Sequence, residues 1–120
     1  MIFKVGNDII ETKRIGRLYE KFGNRFLKRV FTSKEIAYCE SKGVCKYQSY
    51  AARFAGKESV FKAVSGALGS KFDLQWKDIE ILNDEQGRPV VKVNKLNCKI
   101  DISLSHEKEY AIAVALVIFD

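Results

Sequence analysis

The amino-acid sequence predicts an α+β fold, with helices packed on a small antiparallel sheet in a single domain spanning residues 1–120. Three observations carry that prediction. Between residues 12 and 68 apolar side chains recur with helical spacing, and from residue 79 onward they recur with the spacing of strands. The composition, 47% apolar and 30% charged with one proline, is that of a folded chain rather than a disordered one. A chain of 120 residues can also bury enough surface to fold without a disulfide or a structural metal.

Each element has its own signal. Residues 3–10 read as an opening strand, with Phe3, Val5 and Ile9 on one face and Gly6 and Asp8 on the other. A first helix over 12–22 carries the apolar stripe Ile15, Leu18, Tyr19 and Phe22, and Gly23 ends it. Thr32 followed by Glu35 is a capping-box signature that starts a helix over 33–42, stopped by Gly43. A longer helix over 47–68 lines up Tyr50, Ala51, Phe54, Ala55, Phe61, Val64 and Leu68. Strands at 79–82 and 90–93 flank the turn-rich NDEQGRP. Residues 99–105 alternate Ile100, Ile102 and Leu104 against Asp101, Ser103 and Ser105. A tight turn at HEKE leads to a last strand over 110–119, apolar on both faces and therefore expected to be central and covered.

Several function classes are excluded early. Cys39, Cys45 and Cys98 have no CxxC spacing and only one histidine to join them, which argues against a zinc site and for reduced thiols in the cytoplasm. The N-terminal MIFKVGNDIIE meets acidic residues too soon for a signal peptide, and the apolar run at 110–119 is too short to cross a bilayer. The charge distribution is more telling. Lys13, Arg14, Arg17, Lys21, Arg25, Lys28 and Arg29 stand against Glu20 alone, so this segment carries the whole net charge of +6. Such a patch is either a solvated face or a docking surface for something acidic.

Three residues could carry chemistry. Glu58 falls four after Phe54 and three before Phe61, on the apolar stripe of the long helix. A carboxylate there must be protonated, paired or bound to a cation; the plain account is an i,i+4 pair with Lys62. Asp8 lies inside the first strand, where Gly6 on the same face leaves room for a ligand or another backbone; alternatively, Asp8 caps the first helix. Two carboxylates from different elements, completed by phosphate or water, suit magnesium. His106 follows Ser105 at a hairpin tip, either solvated there or serving a phosphate or a proton.

Four blocks, GNDIIE, RFLKRVFTSKEIAYC, ARFAGKESVFKA and SLSHEKEYAIAVA, together resemble the bacterial holo-acyl-carrier-protein synthase family of 4′-phosphopantetheinyl transferases. The blocks keep the family's order and spacing over nearly the whole chain. The resemblance implies an enzyme that moves phosphopantetheine from coenzyme A to a carrier-protein serine, with Mg2+ held by Asp8 and Glu58. It places Lys62 on the same phosphates, making Asp8, Glu58 and Lys62 the catalytic set, and His106 near the nucleotide. Arg53 and Lys57, close to Glu58 in sequence, join as candidate phosphate contacts. Arg14, Arg17, Lys21, Arg25 and Lys28 become the docking surface for an acidic apo-acyl carrier protein, and the family's trimers place coenzyme A between subunits. The chain departs from the pattern at residues 64–67, where a GTG-like turn is common, and at Glu107, where threonine is common. The competing reading is a non-catalytic basic nucleic-acid-binding domain, which would stack bases on Tyr19, Phe22 and Phe26. A third is a carrier-binding module without transferase activity.

Overall fold

The computed structural model describes residues 1–69 and 72–120. In chain order the elements are β1 (Ile2–Glu11), α1 (Thr12–Phe22), α2 (Asn24–Val30), α3 (Ser33–Glu40), α4 (Lys46–Leu68), β2 (Ile79–Asn83), β3 (Pro89–Val93), β4 (Lys99–His106) and β5 (Tyr110–Phe119). Single 3₁₀ turns at Gly43–Cys45 and Trp76–Asp78 precede α4 and β2. The α+β reading therefore holds, with β1, β5 and β4 forming one antiparallel sheet and β2–β3 a separate hairpin.

The register explains how α4 meets the sheet. Gly6, Ala115 and Ile102 lie side by side across the three strands, followed by Asp8, Ala113 and Leu104, then Ile10, Ala111 and His106. Ala111, Ala113 and Ala115 are fully buried, so the central strand offers α4 a shallow trough of methyl groups. At Gly6 the approach is closer still: a Cβ there would stand 1.9 Å from the Ser59 carbonyl oxygen. The room that Gly6 leaves is filled by another backbone, that of α4.

The core runs the length of α4. Around its first half pack Ile10, Ile15, Phe31 and Tyr50, and around its second half Val60, Ile79, Ile81 and Ile102. Trp76 joins the two by stacking on Phe54 at 4.9 Å and meeting Phe61 edge-on at 5.2 Å. Each fully buried aliphatic side chain here contributes about 1.5–3 kcal/mol relative to exposure.

Several expectations change. In β1 the face that carries Phe3, Val5 and Ile9 is the outer one, about 60% exposed at each, whereas Gly6 and Ile10 on the opposite face are buried. β5 is central as expected, but the chain covers only one of its faces; Ile112 and Val114 lie open on the other. Phe22 and Leu68 leave their apolar stripes for the surface. The capping box is present, with the Glu35 amide donating to the Thr32 hydroxyl and the Thr32 amide to the Glu35 carboxylate, but α3 ends at Glu40 rather than 42. Helix α2 was not anticipated. Gly23, at φ 53, closes α1 and opens α2 directly, with no capping side chain to announce it. Among the described residues, no helix is long and apolar enough to cross a membrane.

Candidate active site

Two groups of polar residues flank α4. On the β1 side, Asp8 projects from the inner face of the strand and Glu58 from the helix above it. Asp8 does not cap α1, which begins at Thr12 after Glu11; it is a strand residue paired with Ala113. Lys62, one turn beyond Glu58, donates to the Asn7 carbonyl at 2.8 Å and reaches Asp8 Oδ1 at 3.3 Å. Burial pushes the Glu58 carboxyl above the usual carboxylate range, and the Asp8 charge pushes the same way; Lys62 and Arg14 oppose both. Glu58 is thus half-buried beside a second carboxylate rather than sealed in the core.

The chemical meaning of that pairing is direct. Two like charges held near each other in a half-buried site raise proton affinity or recruit a cation. The donors are all oxygens, which suits a hard divalent ion such as Mg2+. Among the described residues no third histidine, cysteine or carboxylate joins them, so phosphate or water would supply the remaining oxygens.

On the other side, toward β2 and β4, lies a cleft of about 310 Å³ lined by Tyr38, Lys42, Ser49, Arg53, Asn83 and His106. Arg53 is 3% exposed and stacks on the Tyr38 ring at 4.1 Å. Its guanidinium donates to Asn83 Oδ1 and, at 3.5 Å, to Ser49 Oγ, while its Nε–H has no protein partner. Lys42, Arg53 and His106 together give this cleft a donor-rich, basic lining that favours an anion. His106, the last residue of β4, sits at the rim with Nδ1 3.0 Å from Gln48 Oε1. Beside it, Glu107 closes the hairpin by accepting from the amides of Glu109 and Tyr110, which accounts for an acid at that position.

Arg53 and Lys62 are nine residues apart, about half a turn around the helix axis, so α4 stands between the two groups. Asp8, Glu58 and Lys62 come together, Arg53 and His106 come together, and one chain does not merge the sets. Lys57 joins neither. It is completely buried, with its ammonium 2.7 Å from Glu35 Oε1 and bonded to three backbone carbonyls, so the expectation that it contacts a cofactor is withdrawn. Sequence reasoning missed Lys42, Gln48 and Asn83, which reach the cleft from separate elements and carry no local signature.

The docking candidates Arg14, Arg17, Lys21, Arg25 and Lys28 are all exposed, on α1 and α2. Helix α2 sets Arg25, Lys28 and Arg29 on one face, beside a groove formed with Leu18, Phe22 and Phe26. Tyr19 and Phe26 are engaged in packing against Tyr47, Tyr50 and Phe31, which leaves Phe22 as the exposed ring of the three proposed for base stacking.

An acidic pair, an anion-favouring cleft and two basic helices thus share one small domain, and the chain belongs to the 4′-phosphopantetheinyl transferase superfamily, whose model matches residues 4–115. Within it, the chain is 45% identical to the holo-[acyl-carrier-protein] synthase of Chlamydia trachomatis serovar D over 120 residues, covering 96% of this chain and 98% of that one. It is 43% identical to the protein of the same name from Ruminiclostridium cellulolyticum, over 94% of this chain and 90% of that one. The Bacillus anthracis holo-(acyl-carrier-protein) synthase structure with coenzyme A superposes with a TM-score of 0.79 at 31% identity, covering 98% and 96% of the two chains. The Helicobacter pylori enzyme with coenzyme A gives 0.78 at 30% identity, covering 94% and 98%.

Proposed function

We propose that this chain transfers the 4′-phosphopantetheine arm of coenzyme A to a serine of an acidic apo-acyl carrier protein. The products are the holo carrier and adenosine 3′,5′-bisphosphate, and the setting is fatty-acid biosynthesis in the cytoplasm. The observation that carries the reading is the facing pair Asp8 and Glu58, with Lys62 over Asp8 and a basic docking surface alongside. Similarity to holo-acyl-carrier-protein synthases along nearly the whole chain supports it. Three free thiols agree with a reducing compartment.

Asp8 and Glu58 are the residues that would hold Mg2+. Bound there, the ion would neutralise the pyrophosphate and ease departure of the bisphosphate. Lys62 is half exposed, so its ammonium can pass from Asp8 to an arriving phosphate oxygen. The serine oxygen forms the new bond to phosphorus as the bond to the adenosine-side phosphate breaks. A carboxylate oxygen of Glu58 not engaged with the ion would accept the serine proton. Phosphoryl transfer of this kind depends on alignment and charge neutralisation more than on covalent help from the protein. Arg53 and His106, with Lys42, would grip the phosphate at the adenosine end.

Two features of the chain support the homotrimer that the family resemblance implies. Tyr110, Ile112 and Val114 of β5, flanked by Phe3, Val5 and Ile9 of β1, leave a largely apolar surface, broken by Asn7, on the sheet's outer face. The two polar groups also lie on opposite sides of α4, which favours a ligand that takes one group from each of two neighbouring subunits.

Incubation with apo-carrier, coenzyme A and Mg2+, followed by weighing the carrier in a mass spectrometer, tests the reading. A gain of one phosphopantetheine is expected; no adduct with any divalent metal would overturn the transferase assignment. Light scattering on the eluting protein tests assembly, and a monomer at assay concentration would overturn the shared site.

A further inference from the structure

The residue that sequence reasoning assigned to a cofactor has a different setting. The Lys57 ammonium lies 2.9 Å from the Val30 carbonyl at the end of α2, 3.0 Å from that of Trp76 and 2.6 Å from that of Ile79. Its fourth neighbour is Glu35 Oε1 at 2.7 Å, with both side chains wholly buried. Glu35 is itself fully engaged, accepting from the Thr32 amide at 2.8 Å and, through Oε2, from the Ile81 amide at 2.9 Å. Thr32 extends the cluster by donating to Glu80 Oε2 at 2.6 Å. One ammonium therefore ties the end of α2, the start of α3, the turn at Trp76 and strand β2 to α4.

Stability alone does not explain such a pair. Desolvating two ions costs several kcal/mol, and apolar residues of similar volume often serve a core as well or better. What the pair supplies is geometry. Helix α4 is already seated by the alanine trough and by its contacts at Gly6 and Gly56. Helix α2 is not: it has seven residues, of which only Leu27 and Val30 are buried, and it carries Arg25, Lys28 and Arg29. Its terminal carbonyl is held by the residue immediately before Glu58.

We propose that Lys57, paired with Glu35, is a positioning residue that fixes the basic helix α2 relative to Glu58, so that carrier docking and the carboxylate site are set by adjacent residues of α4. The proposal rests on the transferase reading above. The direct test is the neutral double variant Lys57→Met with Glu35→Gln, which removes the bonds without stranding a buried charge. It should stay folded, with the carrier KM raised about tenfold and the coenzyme A KM within about twofold of the parent. Arg25→Ala should then add little in the double variant, although it raises the carrier KM in the parent. A folded double variant with the parent's carrier KM, or with both KM values raised alike, would overturn the proposal.

Should the double variant not fold, hydrogen exchange on the unaltered chain decides. Coenzyme A with Mg2+ should slow amide exchange in α2 as well as around Glu58; slowing confined to α4 and β1 would overturn the coupling. A parent chain that binds coenzyme A but loads no carrier would refute the transferase reading, and exchange in α2 would still decide this one.

Discussion

The two sides of α4 are built from the same kinds of residue to opposite ends. On the β1 side two carboxylates face each other with a half-exposed lysine, and the Glu58 carboxyl is raised by burial and by Asp8. On the β2 and β4 side Arg53 and Lys42 line a cleft rimmed by His106. The first side sets two carboxylates together and suits a cation; the second sets Arg53, Lys42 and His106 together and suits an anion. A coenzyme bearing both a pyrophosphate with its metal and a separate terminal phosphate needs one of each. The contrast teaches that one helix, α4, carries a face suited to a cation on one side and a face suited to an anion on the other.

The largest expected effect breaks the first side. Asp8→Ala or Glu58→Ala should lower kcat on the order of a thousandfold, about 4 kcal/mol of barrier, with thermal stability nearly unchanged. Full activity in both variants would remove the acidic pair from the mechanism. The next prediction tests the separation itself. Arg53→Gln should raise the coenzyme A KM by roughly thirtyfold, since it removes a buried charge-assisted contact. Co-refolding Asp8→Ala chains with Arg53→Gln chains should then restore about a quarter of parental activity at low coenzyme A, the random-mixing value for a site shared by two subunits. Mixtures no better than the separate variants would mean that each chain completes its own site.

The same contrast separates what was legible in the sequence from what was not. Thr32 and Glu35 announced α3, and the alternation of Ile100, Ile102 and Leu104 announced β4, because both signals are local. Asp8 and Glu58 stood out for a similar reason, as acids on otherwise apolar elements. Helix α2 escaped because Gly23 serves both helices and no capping side chain precedes it. The alternation in β1 divides its two faces but does not say which points inward, because the trough that receives α4 is built from Gly6 and alanines rather than from large apolar residues. Lys57 was misplaced since its partner, Glu35, lies 22 residues away, and Glu35 already had a local explanation as a capping residue. Lys42, Gln48 and Asn83 converge on Arg53 and His106 only through the fold.

A smaller effect sharpens the division between docking and chemistry. Charge reversal at Arg14 and Arg17 should raise the carrier KM about tenfold, leave the coenzyme A KM unchanged, and weaken as salt is added. The Arg14 charge also acts on the Glu58 carboxyl, so an Arg17-only variant distinguishes docking from a disturbed acidic pair. Equal effects on both substrates from the Arg17 change would place the carrier elsewhere.

The smallest effect is a pH dependence of stability. The folded-state pKa of Glu58 is raised above its unfolded value, so the folded chain holds that proton more tightly. The resulting stabilisation is fully present below the ordinary carboxylate range and is lost as pH rises through the raised value. Glu58→Gln cannot ionise, so its melting temperature should gain on the parent's across that window. Mg2+ added above the window should recover the parent's deficit by binding the ionised pair and should do much less for the variant. Melting curves that run parallel with pH, with equal responses to Mg2+, would show that Glu58 neither carries a raised pKa nor meets the ion.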